Sequence, residues 1–130
     1  MSDFSDALSV SSAGLKAQAQ RLRHVSENIA NTDTPGYRRK SVPFQLNEAR
    51  PGEPALVNTG RVHLDRSDLA RIHDPSHPMA DDSGHYEDTN VDLLIELADA
   101  REAQRSYEAN LKMFEQAREM SSGLLQLLRR

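Results

Sequence analysis

The chain has helical periodicity at both ends and none in between. From about Asp3 to Ala30, residues Leu8, Ser11, Leu15, Gln18, Leu22, Val25 and Ile29 alternate steps of three and four, with Phe4 one step ahead. From about Val91 to Leu128 a longer line runs through Leu93, Leu97, Ala100, Gln104, Tyr107, Leu111, Phe114, Ser121, Leu125 and Leu128, interrupted at Arg118. Steps of three and four keep side chains on one stripe of an α-helix, and a stripe needs a partner to cover it. Two long helices at opposite ends of one chain satisfy each other most simply as an antiparallel pair, with both termini at one end. At 1.5 Å per residue their lengths are roughly 40 and 55 Å.

The middle, residues 41–88, holds five of the six prolines and four of the five histidines. Val42, Phe44 and Leu46 alternate, but Pro43 restricts that piece to an edge strand. "ALVNTGRVHL" reads as two short strands around Asn58-Thr59-Gly60, a hairpin signal. "DPSHPMADDSGHYEDT" reads as turn chemistry with few groups to bury. The expected fold is therefore mainly α: residues 1–40 and 89–130 form a coiled-coil-like helical pair, and 41–88 form a small loop-rich insert with short β-strands. Thr89 or Asn90 is placed to cap the second helix, with Asp92 three residues after Thr89 as in a capping box.

Two features suggest that the pair is not self-sufficient. Met113, Ala117, Met120 and Leu124 form a second stripe beside the first, wider than one partner covers. Leu124, Leu125, Leu127 and Leu128 fall within the last seven residues, where chain ends ordinarily fray. Only 37% of the chain is hydrophobic and it has no Trp, so a dense monomeric core is not expected. Burial against other subunits is the simplest resolution. Gly14 lies inside the first helix, where it costs about 1 kcal/mol relative to Ala, and close approach of a neighbouring helix is the motive read for it.

Chemistry finds little support. With no Cys there is no thiol catalysis, disulfide or Cys-ligated zinc. His73 and His77 are four apart, but Pro75 and Pro78 break the helix that would give the spacing meaning, so no metal or other cofactor is expected. Asp92, Glu96, Asp99 and Glu102 recur at helical spacing, and Arg101, Arg105 and Lys112 on the same helix point to a solvated or salt-bridged outer face. No nucleophile elbow or phosphate-cradling loop is present. A formal charge of −4 gives no pull toward nucleic acid, and Arg38-Arg39-Lys40 is too small a patch to reverse that. No apolar run approaches the roughly 20 residues of a membrane span, and the first residues lack the pattern of a cleavable secretory signal.

"ENIANTDTPGYRRK", Glu27 to Lys40, reads as a joint. Asn31 can take the left-handed conformation that ends a helix, and Pro35 pushes Thr34 out of helical space. Pro35 and Gly36 fit the centre of a type II turn, with Gly36 at positive φ. Tyr37 is delivered beyond it to pack, and the three cations face acidic neighbours or solvent.

The run "NIANTDTPGYRRKSVPF" resembles the N-terminal signature of the flagellar rod and hook protein family. "HDPSHPMADDSGHYEDTNVDLLIELADAREAQRSYEAN" is similar to the C-terminal part of the short proximal rod member of that family. The resemblance implies a non-enzymatic structural subunit of the bacterial basal-body rod. It also implies export by the flagellar type III export apparatus without a cleaved signal, and partners that are copies of itself, other rod proteins and the basal-body adaptor at the export gate. On this reading Asn28, Asn31, Thr34, Pro35, Gly36 and Tyr37 form the turn motif. Leu8, Leu15, Leu22, Val25, Ile29, Leu97, Ser106, Tyr107, Asn110, Leu111, Phe114, Leu125 and Leu128 pack helices or assemble subunits, with Tyr107 and Phe114 as the main anchors. The competing class is a soluble helical adaptor or chaperone of a secretion system that holds a partner on its apolar faces.

Overall fold

The computed structural model describes residues 2–129. Helix α1 spans Ser2–Ala30 and helix α2 spans Leu93–Leu128. Between them lie six short strands: β1 Lys40–Ser41, β2 Phe44–Leu46, β3 Val57–Thr59, β4 His63–Leu64, β5 Arg71–His73 and β6 His85–Glu87. The helices pack antiparallel along most of the length of α1. Gly14 faces Asn110, Arg21 reaches Glu102 and Asp99, and Asn28 bonds Glu96.

On α2 the buried positions fall one residue before the leucine line, while on α1 Ser11 and Val25 lie on that line and Gly14 and Asn28 lie one residue before it. Gly14 faces Asn110 and Asn28 faces Glu96, two heptads further along each helix. Buried positions are Ser11, Gly14, Ala17, Val25 and Asn28 on α1 and Glu96, Ala103 and Ala117 on α2. Small side chains let two backbones approach closely, so the large ones flank the contact. Leu8, Leu15, Leu22 and Ile29 are half-buried beside the seam, as are Tyr107 and Phe114. Leu97, Leu111, Leu125 and Leu128 are exposed, Leu128 at 71%. The sequence leaves open whether these four pack the two helices or assemble subunits, and within the chain they stand uncovered. A heptad of leucines marks a face needing cover, and cannot say whether the cover comes from the same chain.

The cap of α2 also differs. Asp92 is the N-cap, its carboxylate accepting from Leu94 N and Ile95 N at 3.0 and 3.4 Å. Thr89 and Asn90 are not free to cap, because both are bound into the joint described below.

The strand pairing departs from the local hairpin reading. β3 does not turn back on β4. It runs antiparallel to β2, with Phe44 opposite Thr59 and Leu46 opposite Val57, while β4 pairs with β1. The four strands make one long hairpin that leaves and re-enters beside the joint. Val42 and Pro43 stand against three residues, Gly60 to Val62, so the ladder carries a bulge at the proline. The Asn-Thr-Gly signal thus marks the bulge, and the turn lies farther out, beyond the bond from Asn47 N to Leu56 O. β5 and β6 form a second hairpin, Ile72 opposite Tyr86, and β6 falls within the stretch that reads as turns from sequence.

Candidate assembly joint and subunit surface

α1 ends without a left-handed residue: no non-glycine residue among those described has positive φ. The Asn31 expectation is corrected accordingly. Its side-chain Nδ2 instead donates to Glu27 O at 2.8 Å, and its Oδ1 accepts from Thr34 Oγ1 at 3.0 Å. The Pro35-Gly36 turn closes with Tyr37 N donating to Thr34 O at 3.2 Å, and Gly36 has φ 78°. That is the type II geometry, in which any β-carbon at Gly36 is disfavoured. Gly36 N also donates to Glu87 O at 3.1 Å, tying the turn to β6.

The turn aims Tyr37 back at the fully buried Asn28. Asn28 Oδ1 accepts from Tyr37 Oη and from Lys40 N, both at 2.9 Å. Asn28 Nδ2 donates to Lys40 O at 2.8 Å and to Glu96 Oε2 at 3.2 Å. One amide therefore joins α1, the turn, β1 and α2 with all four hydrogen-bonding capacities used, the condition under which a buried polar group specifies structure instead of weakening it. Burial chiefly pushes the Tyr37 hydroxyl above its ordinary pKa, so it serves as a donor.

Glu96 is fully buried, and its second oxygen accepts from Arg39 Nε. Arg39 Nη2 reaches Asp99 at 2.9 Å. Burial would lower the Arg39 pKa, but the hydrogen bond to Glu96 and the charges of Glu96 and Asp99 outweigh it and hold the guanidinium above its usual value. Lys40 Nζ donates to Glu27 at 3.0 Å, the main reason that carboxyl sits below its ordinary value. Arg38 donates to the Asp65 and Ser67 carbonyls at 2.9 and 2.8 Å. Thr89 Oγ1 donates to Tyr37 O at 2.9 Å and Asn90 Oδ1 accepts from Arg39 N at 2.7 Å.

The carboxylate row of α2 is therefore no solvated outer face at Glu96. Glu96, Asp99 and Glu102 meet cations from the joint and from α1, not from their own helix, and Asp92 caps it. Sequence reading missed Glu96, Arg39 and Asn90 as joint residues. The signal available was the exact seven-residue spacing that puts Asn28 in line with Gly14 and Glu96 in line with Ala103. The histidines serve local packing: His77 stacks on Tyr86 at 3.9 Å, and His73 and His85 lie across from each other at 4.7 Å. Among the described residues no cluster of three or more His, Cys, Asp or Glu could hold a metal.

Away from the joint, α2 leaves large apolar side chains uncovered on several sides. Leu94 is 78% exposed, and Leu93, Ile95, Met113, Met120, Leu124 and Leu127 are all exposed. No described helix is long and apolar enough to cross a membrane.

Comparison with known proteins explains this combination. A family model described as "Flagella basal body rod protein" matches residues 8–38, covering most of α1 and the joint. One described as "Flagellar basal body rod FlgEFG protein C-terminal" matches residues 82–127, covering β6 and nearly all of α2. The helical pair and its joint thus define a structural subunit of the flagellar basal-body rod, and the adaptor reading has no support. The chain is 41% identical to the flagellar basal-body rod protein FlgC of Agrobacterium fabrum, over 99% of this chain and 98% of that one. It is 35% identical to FlgC of Bacillus subtilis, over 80% and 84%. It is 32% identical to FlgC of Aquifex aeolicus, over 92% and 93%. The chain belongs to the FlgC family of flagellar basal-body rod proteins.

Proposed function

We propose that this chain is a non-enzymatic axial subunit whose terminal segments, 1–40 and 89–130, are the assembling unit and whose insert 41–88 is carried on the joint. It is exported by the flagellar type III apparatus without cleavage and joins copies of itself, other rod proteins and the adaptor at the export gate. There it transmits torque along the rod. One observation carries this reading: apart from Val25, the seam inside the chain is made of small and polar side chains, while the leucines and methionines of α2 face outward. Helix-to-helix contacts that do not close on themselves propagate a filament, and close-packed apolar contacts deform little under shear. On this reading Leu97, Leu111, Leu125 and Leu128 are intersubunit residues, with Tyr107 and Phe114 at the edge of both kinds of contact.

Deleting the gene and scoring basal bodies and swimming tests the role. The expected result is no complete rod and no motility, restored by the wild-type chain. A deletion strain with complete, rotating flagella overturns it.

A further inference from the structure

The first turns of α2 carry a shallow groove of about 460 Å³ on the side away from α1. Its floor is Leu94, Leu97 and Ala98, and its rim is Arg101, Glu102 and Arg105. Glu102 is engaged by Arg21 at 3.4 Å. Arg101 and Arg105 meet no carboxylate among the described residues, so the groove is an apolar strip with two free positive charges on its edge. No residue of the 71–88 segment lines it.

That segment has the opposite character. It holds one arginine against Asp74, Asp81, Asp82, Glu87 and Asp88. At its tip Met79 is 65% exposed, and the exposed Asp81 and Asp82 follow two and three residues on. The tip is tightly built for a loop that buries so little. Asp81 Oδ1 accepts from Ser83 N, Ser83 Oγ and His85 N at 3.0, 2.6 and 3.0 Å, and Met79 N donates to His77 Nδ1 at 3.0 Å. Asp81 also meets Arg71 at 3.2 Å, which leaves Asp82 as the free carboxylate next to Met79. A rigid loop displaying one apolar side chain beside acid is pre-organised for binding, because the ordering cost is met in advance.

From this complementarity we infer that the Met79–Asp82 tip of one copy docks in the Leu94–Arg105 groove of a second copy. Met79 covers the Leu94, Leu97 and Ala98 floor, and Asp82 faces Arg101 and Arg105. The contact is heterologous, tip to groove, so each copy keeps one free tip and one free groove and the chain of contacts continues. It rests on the subunit role proposed above and adds a specific surface to it.

The absence of cysteine in the chain makes the test clean. Cells whose only copy carries Met79→Cys with Ala98→Cys are mildly oxidised, and their basal bodies are run without reductant. The expected result is a dimer and higher multiples in the double variant and only monomer in each single variant. An intrachain disulfide, a disulfide to a chain of different mass, or no disulfide overturns the inference. Charge reversal supplies a second readout: Asp82→Arg is expected to cut swimming about tenfold through like-charge contact, and Arg101→Glu with Arg105→Glu to restore it. Wild-type swimming in Asp82→Arg overturns the docking alone, whereas rotating flagella in the deletion strain overturn the subunit role.

Discussion

The side-chain amide of Asn110 occupies the space that a β-carbon on Gly14 would need. A Cβ built there lies 2.4 Å from Asn110 Oδ1 and 2.8 Å from Cγ. Asn110 Nδ2 is held by the Ser106 carbonyl at 2.9 Å, so the amide is fixed where it blocks the site. The glycine is thus the contact that sets the distance between the two helices. Gly14→Ala gains about 1 kcal/mol of helix propensity, yet the clash is expected to make it net destabilising by about 1–2 kcal/mol. Adding Asn110→Ala is expected to recover most of the loss in a double-mutant cycle followed by denaturant unfolding. Additive effects would mean that the two residues do not touch.

Gly36 answers to a different constraint. No atom lies within 4 Å of the β-carbon position, but φ is +78°. Size is therefore not the issue and backbone conformation is. Gly36→Asn is expected to be tolerated, since Asn enters this region readily, while Gly36→Val loses about 1–3 kcal/mol and most motility. Equal behaviour of the two variants would show that the turn does not depend on positive φ.

Asn28 is expected to be among the most sensitive positions. Asn28→Ala leaves Tyr37 Oη, Lys40 N, Lys40 O and Glu96 without their shared partner in a buried site, a loss of about 3 kcal/mol or more. Tyr37→Phe removes one of those bonds and is expected to lose only about 1 kcal/mol. Unfolding midpoints that fail to rank Asn28→Ala well below Tyr37→Phe would argue against a single network.

The acidic tip gives a pH signature. Hydrogen bonds from Ser83, led by its hydroxyl, and from His85 N lower the Asp81 carboxyl from its ordinary 3.8 to about 2. A pKa depressed on folding stabilises above the unfolded value and loses that contribution as pH falls through the folded one. The 81–85 turn is therefore expected to hold at pH 4 and loosen between about 3.8 and 2. A carboxyl NMR titration checks this, with Ser83→Ala moving the Asp81 midpoint upward. An unmoved midpoint would remove Ser83 as the cause.

Removing residues from Gly123 onward is expected to spare expression and abolish assembly, because Leu124, Leu125, Leu127 and Leu128 add nothing to the internal seam. Normal swimming by that truncation would place those leucines outside any subunit contact.

How much of this was legible in the sequence follows from the range of each interaction. The two helices, the Pro35-Gly36 turn and the close approach at Gly14 rest on local spacing and backbone limits, and all are visible in a single strand of letters. The phase of the seam was not, because Leu97 and Leu111 look alike whether a neighbour is covalently attached or not. Ala103 and Ala117 carry too little hydrophobicity to advertise a core. The Asn28, Arg39 and Glu96 joint brings together residues 57 to 68 positions apart. The pairing of β3 with β2 was hidden for the same reason: its turn chemistry lies beyond Asn47 and Leu56, while the nearer Asn-Thr-Gly signal belongs to a bulge.

The central claim is that the outward leucines and methionines of α2 are covered by other subunits. A side-chain-resolved reconstruction of the assembled basal body tests it most directly. The expected result is that Leu94, now 78% exposed, and Leu128, now 71% exposed, are buried against neighbouring chains, as are Met113 and Leu125. Those side chains facing solvent or an open channel in the assembled rod would contradict it.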